Sequence, residues 1–323
     1  MKAFGVLFLL GLVAGPEPVA GHPAGVMKVA FSPDGSLLAA GGSASVITVW
    51  DVASREVLHT LSGSGHEGAL DFNPDGKLLC SGSSDATVRL WSMDKGSLVA
   101  TFDAAPPKIP LGYVYAVAFS PDGSLIASGG AKDSIIRLWN VVQARHERPI
   151  GTYGSTIFCL GFSRDGAFLF AGSEDGKLRA INLGSGLSVF DTPAHAGGVR
   201  TLAVGPDGKT LLTGGVDKVA RLWEFGDNKL IERRTFRGHT DMILGAAFLD
   251  GGKFVATASP DGTVRSWDTT LGTAAKTLWR GKGGARSVAC GPRGRLAVGL
   301  WTNGTTEPNV LLGSERVATQ DHD

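Results

Sequence analysis

Histidine, threonine and aspartate occur together twice in the chain, and side chains of these three types could carry out nucleophilic catalysis. The two sets are His195, Thr213 and Asp217, and His239, Thr257 and Asp261. A catalytic triad needs a hydroxyl open to substrate, a histidine that takes its proton and an oxyanion site beside them. Each set here is followed at the same spacing by a tryptophan, Trp223 or Trp267, whose indole nitrogen only donates hydrogen bonds. This repetition favours a structural role, in which the four side chains fasten a turn.

Both sets belong to a unit that recurs along the chain: an apolar stretch ending in Asp-Gly, a strand rich in glycine and serine, and an aspartate turn leading to tryptophan. The Asp-Gly turn or its nearest equivalent occurs at Asp34-Gly35, Asp75-Gly76, Asp122-Gly123, Asp165-Gly166, Asp207-Gly208, Gly251-Gly252 and Arg293-Gly294. Successive turn glycines are about 41 to 47 residues apart. The tryptophan position keeps this period, at Trp50, Trp91, Trp139, Trp223 and Trp267, with Ile181 in the fourth place and Gly313 in the seventh. Two landmarks with one period predict seven copies.

Each copy has the pattern of four short strands, which the third copy shows best. Its first apolar run, Val114 to Ser120, alternates and is stopped by Pro121-Asp122-Gly123, a turn whose glycine can take a positive φ. A second strand follows to Gly129, and a third, Ile135 to Trp139, is rich in branched and aromatic residues. The fourth strand is weaker, as expected for an outer edge in contact with solvent. No apolar stripe at helical spacing persists, so the sequence predicts essentially no helix.

These residues resemble the WD-repeat family over roughly residues 22 to 318. The resemblance implies an all-β fold, a seven-bladed β-propeller with four antiparallel strands per blade, in which the last blade is degenerate. It also implies a hydrogen-bonded chain from Trp through Ser or Thr and His to Asp in each complete repeat. Two copies carry the full set: His195, Thr213, Asp217 and Trp223 in the fifth, and His239, Thr257, Asp261 and Trp267 in the sixth.

The other five copies keep only part of this set. The first has His22 and Trp50 but Ala40 and Ala44 in the other places, the second has Ser81, Asp85 and Trp91 with His66 three residues late, the third has Asp133 and Trp139, the fourth has Asp175 beside Ile181, and the seventh has Glu307 without a tryptophan. A buried polar chain stabilises a protein only when every member has a partner. We therefore interpret the complete sets as fasteners of blade geometry and predict no catalytic residue.

Composition supports one folded body without a strong electrostatic preference for a partner. Charged residues make up 19% and hydrophobic residues 43% of the chain, and the net charge is +1, which gives no overall attraction to nucleic acid or membrane. Metal-binding and phosphate-binding spacings are absent from the sequence, so no metal or cofactor is expected. We expect a monomeric ring that neither binds nucleic acid nor inserts stably into a membrane.

Two groups of basic residues could suggest an anion site. Between Asp268 and Glu307 there is no acidic residue, whereas six basic ones occur: Lys276, Arg280, Lys282, Arg286, Arg293 and Arg295. This stretch is either an ordinary solvated face or a site for an anion or acidic partner. Arginine also recurs two residues before the tryptophan position, as Arg89, Arg137, Arg179, Arg221 and Arg265. Because a strand alternates its faces, each of these lies on the face of its tryptophan, and we interpret them as packed between blades.

The first 20 residues have two interpretations. Met1-Lys2 followed by an apolar run to Ala14 is typical of a secretory signal peptide, with cleavage after Ala20. Residues 21–320 would then form the propeller, and the chain would be exported to the periplasm or the cell exterior; otherwise it would be cytoplasmic. Alternatively, this segment supplies the outer strand of the last blade. If it is removed, Glu315 to Gln320 would have to provide that strand instead.

The WD-repeat resemblance predicts a non-enzymatic scaffold that binds protein partners through the top face and loops of a rigid propeller. The alternatives are an enzyme propeller, either hydrolase or lyase, and a module that binds envelope glycans or another anionic ligand. By resemblance, the top face includes residues before the turn aspartates and at strand starts. The candidate partner-binding residues are Tyr113, Lys132, Glu174, Met242 and Ser84. Of the neighbouring Tyr113 and Tyr115, strand alternation predicts that only one faces outward.

Overall fold

The computed structural model describes residues 16–103, 112–131, 134–227, 229–301 and 309–314. These residues form seven antiparallel sheets of four strands each. The regular helix content of this part of the chain is limited to two short 3₁₀ turns, Asp250–Gly252 and Pro292–Gly294. The predicted all-β, seven-bladed fold with four strands per blade is confirmed.

The strands follow the repeat along the chain, one blade after another. Blade 1 contains β2 (Val26–Phe31), β3 (Leu37–Gly42), β4 (Val46–Asp51) and β5 (Val57–Ser62); blade 2 contains β6 (Glu67–Phe72), β7 (Leu78–Ser83), β8 (Thr87–Ser92) and β9 (Ser97–Asp103); blade 3 contains β10 (Val114–Phe119), β11 (Leu125–Gly130), β12 (Ile135–Asn140) and β13 (Arg145–Thr152). Blade 4 contains β14 (Ile157–Phe162), β15 (Phe168–Ser173), β16 (Lys177–Asn182) and β17 (Ser188–Pro193); blade 5 contains β18 (Val199–Val204), β19 (Thr210–Gly215), β20 (Ala220–Gly226) and β21 (Lys229–Phe236); blade 6 contains β22 (Gly245–Leu249), β23 (Phe254–Ser259), β24 (Thr263–Asp268) and β25 (Ala274–Arg280). Blade 7 contains β26 (Gly284–Gly291), β27 (Arg295–Trp301) and β28 (Val310–Ser314), with β1 (Glu17–Val19) as its outer strand.

The ring is closed by strands from both ends of the described chain. The first strands of successive blades contact one another around the centre, and β26 of blade 7 contacts β2 of blade 1. At the outside of blade 7, β1 pairs antiparallel with β28, so that Glu17 lies opposite Leu312 and Val19 opposite Val310. Of the two interpretations of the first 20 residues, the one in which this segment supplies the outer strand of the last blade agrees with the pairing of β1 and β28. Glu315 to Gln320 and Met1 to Gly15 lie outside the described residues, and the signal peptide stays a prediction.

The apolar core lies between neighbouring blades, because a four-stranded sheet must bury both of its faces. Between blades 7 and 1, Trp50 packs with Val26, Leu38 and Leu312 in one buried cluster. Equivalent clusters follow around the ring. Burial of this kind contributes about 25 cal/mol per Å² of apolar surface, so each blade depends on its neighbours for stability.

The antiparallel strands define the two ends of the ring. Within each blade, the turns after the first and third strands lie at one end, whereas the turn after the second strand and the connection to the next blade lie at the other. We call the latter end the top face. The Asp-Gly turns therefore lie at the bottom, and the aspartates of the His–Thr–Asp–Trp sets lie at the top.

Gly130, the last residue of β11, brings blade 3 close to the backbone of Tyr113. A Cβ atom at position 130 would lie 1.8 Å from the carbonyl oxygen of Tyr113, so neither main chain could keep its place. We expect Gly130→Ala to lower the free energy of unfolding by roughly 1–3 kcal/mol, the usual range for overpacking. Gly226→Ala is the control, because a Cβ atom there would meet nothing within 4 Å. Equal losses of stability in the two variants, measured by urea denaturation, would contradict this explanation.

Candidate interaction surface at the channel mouth

The structure places each complete set of His, Thr, Asp and Trp in one hydrogen-bonded chain. In blade 5, the indole Nε1 of Trp223 donates to Thr213 Oγ1 at 2.8 Å, and His195 lies between Thr213 Oγ1 at 2.7 Å and Asp217 Oδ1 at 2.8 Å. Blade 6 repeats this arrangement within 0.1 Å, with Trp267, Thr257, His239 and Asp261. Each of these hydrogen-bond chains links the second and third strands of its blade to the connection that precedes the blade.

These chains are closed to substrate. The His195 and His239 side chains are 0% exposed, and both ring nitrogens of each histidine already have partners. Burial lowers the pKa of His195 and His239, while the neighbouring aspartates partly oppose this shift. The threonine hydroxyl accepts an indole N–H and contacts a buried imidazole, so it is not accessible for nucleophilic attack on a substrate. This geometry fits a structural role, in which the four side chains hold the strands and the turn of one blade together.

Blade 2 builds a substitute for the missing histidine from Glu67. Trp91 Nε1 donates to Ser81 Oγ at 3.0 Å, and the Arg89 guanidinium donates to Glu67 Oε1 at 2.9 Å and to Asp85. Glu67 is fully buried, and burial raises its pKa, an effect that the Ser81 hydroxyl and Arg89 partly oppose. The sequence analysis missed Glu67. The feature that could have indicated its role was an acidic residue at the first position of a predicted buried strand.

Blade 1 is fastened through the connection that leads into it from β1. His22 Nδ1 lies 3.0 Å from Thr48 Oγ1, and Trp50 Nε1 donates to the carbonyl oxygen of Ala20 at 2.8 Å. Ala20 therefore replaces the hydroxyl that Ala40 cannot provide. Thr48, which the sequence analysis also missed, lies on the third strand, where five of the other copies carry an arginine.

His22 should make stability depend on pH. Its residue is 8% exposed, and burial lowers its pKa from 6.5 to about 4. Below pH 6.5 the unfolded state binds a proton that the folded state does not bind until about pH 4, so the free energy of unfolding falls as the pH is lowered through this window. His22→Gln should remove up to about 2 kcal/mol of the loss between pH 7 and pH 5. Parallel pH profiles of the two proteins in urea unfolding would contradict this, since every other titrating group is common to both.

Three of the arginines two residues before the tryptophan position, Arg89, Arg179 and Arg221, bind carboxylates of their own blade. Arg89 and Arg179 are buried, and Arg179 binds Ser173, Asp175 and Asp191. Arg221 donates to Asp217 Oδ2 at 2.8 Å. These guanidinium groups are occupied by neighbouring carboxylates and do not form an anion-binding ring.

One residue at or just before the start of the first strand of each blade lines the top opening of the central channel. In six blades, the register of the first strand shifts near its start, and this residue stands out of the ladder as a bulge. These residues, together with Leu244 in blade 6, form the channel mouth: Met27, Gly68, Tyr115, Phe158, Arg200, Leu244 and Arg286. They surround a cavity of about 240 Å³. Six of the seven blades thus place a bulge residue at one shared opening.

An aromatic cluster occupies the side of the channel mouth formed by blades 3 and 4. Tyr113 and Tyr115 stack with ring centres 5.3 Å apart, and Tyr115 contacts Phe158 at 5.4 Å. The two tyrosines are 39% and 38% exposed. The expectation that only one of them faces outward is wrong, because residues two positions apart on an alternating strand lie on the same face.

The candidate partner-binding residues differ in accessibility. Tyr113 lies beside the channel mouth, Glu174 is exposed before the top turn of blade 4, and Met242 is partly buried before β22. Ser84 is partly buried, and its Oγ accepts the His66 N–H at 2.9 Å. Lys132 lies outside the described residues. Tyr115, Phe158, Arg200 and Arg286 were not among the candidates, because a bulge inside a strand leaves little signal in one sequence.

The basic residues between Asp268 and Glu307 do not share a face. Lys276 and Arg280 belong to the outer strand of blade 6, Arg286 lies at the channel mouth, and Arg293 and Arg295 lie at or beside the bottom turn of blade 7. These residues therefore do not form one surface, since the chain passes from the outer edge of blade 6 to both ends of the ring.

Other kinds of site are not apparent in the part of the chain that the structure describes. Its His, Cys, Asp and Glu side chains form no group of three that could hold a metal ion, and Cys80 and Cys159 are buried free thiols. No helix among the described residues has the length and apolar character needed to cross a membrane.

Comparison with known proteins agrees with the fold. A family model described as the first β-propeller of IFT122 matches residues 25–304. The chain belongs to the WD-repeat β-propeller family. The crystal structure of the Cps50 (Swd1) β-propeller domain of Myceliophteria thermophila aligns with a TM-score of 0.79 over 91% of this chain and 98% of that one, at 18% identity, which shows the fold alone.

Three curated relatives illustrate the range of proteins that contain similar propellers. The chain is 30% identical over 139 residues to WD repeat-containing protein SL1-17 of Schistosoma mansoni (43% of this chain, 44% of the relative). It is 29% identical to nuclear distribution protein nudF of Aspergillus niger (78% and 60%) and 27% identical to transducin beta-like protein 3 of Bos taurus (84% and 34%). The chain spans less than two thirds of the length of each.

Proposed function

We propose that this propeller is a non-enzymatic scaffold that binds protein partners at its top face, with the channel mouth at the centre of the binding surface. The observation that carries the proposal is the exposed aromatic cluster of Tyr113, Tyr115 and Phe158 around an open cavity. Exposed tyrosines are frequent anchors of protein interfaces, because they bury a large apolar area and lose little conformational entropy. A closed propeller offers such residues on rigid strands and leaves only short sheet edges at its outside.

The burial of the two complete His–Thr–Asp–Trp sets supports a non-enzymatic role. The histidines that would act as bases are fully buried and hydrogen-bonded on both sides. The relatives in the WD-repeat family suggest interaction scaffolds, and neither nudF nor transducin beta-like protein 3 is named for an enzymatic activity. On this proposal, the chain functions by binding partners at the channel mouth and not by catalysis.

Affinity capture from the native host, with quantitative mass spectrometry, tests this proposal. Tyr113→Ala combined with Tyr115→Ala should reduce recovery of the specific partners by at least about tenfold, as for interface hot spots. The control combines Val142→Ala and Leu271→Ala, which truncate residues that are 89% and 72% exposed in bottom turns. Equal recovery with the two variants, at unchanged melting temperature, would show that the channel mouth is not the binding surface.

A further inference from the structure

The channel mouth also carries two arginines without carboxylate partners, Arg200 and Arg286. Arg200 lies with its Cζ atom 3.9 Å from the centre of the Phe158 ring, and Arg286 lies 4.3 Å from the centre of the Trp301 ring. Among the described residues, neither guanidinium forms an ion pair, and Arg200 Nε is buried with no hydrogen-bond partner. Burial lowers the pKa of Arg286. Ring stacking therefore holds both groups in place while their hydrogen-bond donors stay free.

The contrast with the other arginines makes this arrangement informative. Arg89, Arg179 and Arg221 each bind at least one carboxylate of their own blade. A partly buried guanidinium that lacks such a partner has given up part of its hydration without compensation. Two such groups at one opening, both aligned by aromatic rings, form a site to which an anion would restore the missing hydrogen bonds.

The other charged side chain that lines the opening is also positive. Lys28 also lines the cavity, and none of the side chains that line it is a carboxylate. Below the mouth, the carboxylate of Asp71 interacts electrostatically with Lys28 and accepts the Phe119 N–H at 2.7 Å, so it is already engaged. Glu174 lies at the rim without an ion pair to Arg200. A cationic ligand is disfavoured, because Arg200 already covers the face of Phe158.

We propose that the channel mouth binds an acidic segment of a protein partner, whose aspartate or glutamate carboxylates meet Arg200 and Arg286 while an adjacent apolar side chain packs on Tyr113 and Tyr115. The planar guanidinium matches a carboxylate through two parallel hydrogen bonds. The neighbouring aromatic surface distinguishes a peptide, which brings apolar side chains, from a free anion. This inference rests on the proposed scaffold function and adds the chemistry of the partner.

Selection from a displayed library of random dodecapeptides tests the inference without a known partner. Wild-type protein should select sequences enriched in aspartate or glutamate next to apolar residues. For a selected peptide, replacing its acidic residues by amides should weaken binding by at least about tenfold, the usual effect of removing one member of a buried charge pair. Arg200→Gln combined with Arg286→Gln should cause a similar loss, measured by fluorescence anisotropy.

Two variants separate the site from net charge and folding. Lys95→Gln combined with Arg145→Gln removes the same charge from exposed positions at the bottom and should leave peptide affinity within about twofold, as expected for remote charges screened by salt. Arg200→Lys keeps the positive charge but loses the two parallel N–H donors of the guanidinium, so a partial loss of peptide affinity is expected. Thermal unfolding of each variant shows that the fold is retained.

The outcomes distinguish the inference from the function on which it rests. Selection of peptides without acidic enrichment, or enriched in lysine, overturns the acidic partner and leaves the scaffold. Binding only to a phosphoserine version of the selected peptides, or no selection above background, also overturns the proposal for a carboxylate segment. If, in addition, Tyr113→Ala with Tyr115→Ala leaves partner capture unchanged, the scaffold proposal fails as well.

Discussion

Replacing Trp267 by alanine is expected to lower the free energy of unfolding by roughly 3–5 kcal/mol, the usual cost of truncating a buried aromatic residue. The Trp267 side chain is almost fully buried, packs on Phe236 with ring centres 5.7 Å apart and donates its indole N–H to Thr257. Its loss leaves a cavity between blades 5 and 6 and takes one member from a closed hydrogen-bond chain. Calorimetry or urea unfolding would measure the change.

Two further variants separate packing from hydrogen bonding at this position. Trp267→Phe keeps most of the ring and loses only the donor, so a cost of about 1–2 kcal/mol is expected. Trp279→Ala truncates a partly exposed tryptophan on the outer strand of the same blade and should cost less than Trp267→Ala. A melting temperature of Trp267→Ala equal to that of the wild type would refute the structural role of the fastener.

The repeat made most of the fold predictable. The Asp-Gly turns and the tryptophans recur with one period, and each marks a turn or strand whose geometry depends on local residues. Seven copies of four strands follow from these landmarks. Closure was left open, because the three residues of β1 pair with a strand almost 300 positions away, and no local pattern distinguishes an outer strand from the end of an apolar leader.

The site was less predictable than the fold. His195 and His239 could be placed because family resemblance fixes their partners. Glu67 could not, since it lies at the position where five of the other blades carry valine or isoleucine. The channel mouth was missed for a related reason: its residues stand on bulges, which break the alternation used to assign inward and outward faces. Only Tyr113, just before β10, was identified from the sequence.

Closure by β1 can be tested by shortening the chain at its start. A chain that begins at Pro16 keeps every described contact and should unfold like the full-length protein. A chain that begins at Gly21 loses Val19, which is buried, and the Ala20 carbonyl group that accepts the Trp50 indole N–H. We expect this chain to be less stable by about 3 kcal/mol or more, from lost apolar burial and an unsatisfied buried donor.

The same comparison bears on the predicted signal peptide. Cleavage after Ala20 would remove β1 and leave β28 as an unpaired edge, which is prone to association with other chains. Cleavage before Glu17 would allow both export and closure, so we propose that an exported form, if produced, begins upstream of β1. Mass spectrometry of the mature protein identifies its first residue. A mature chain that begins at Gly21 and unfolds at the temperature of the longer form would show that β1 does not hold the ring together, because its loss would then carry no energetic penalty.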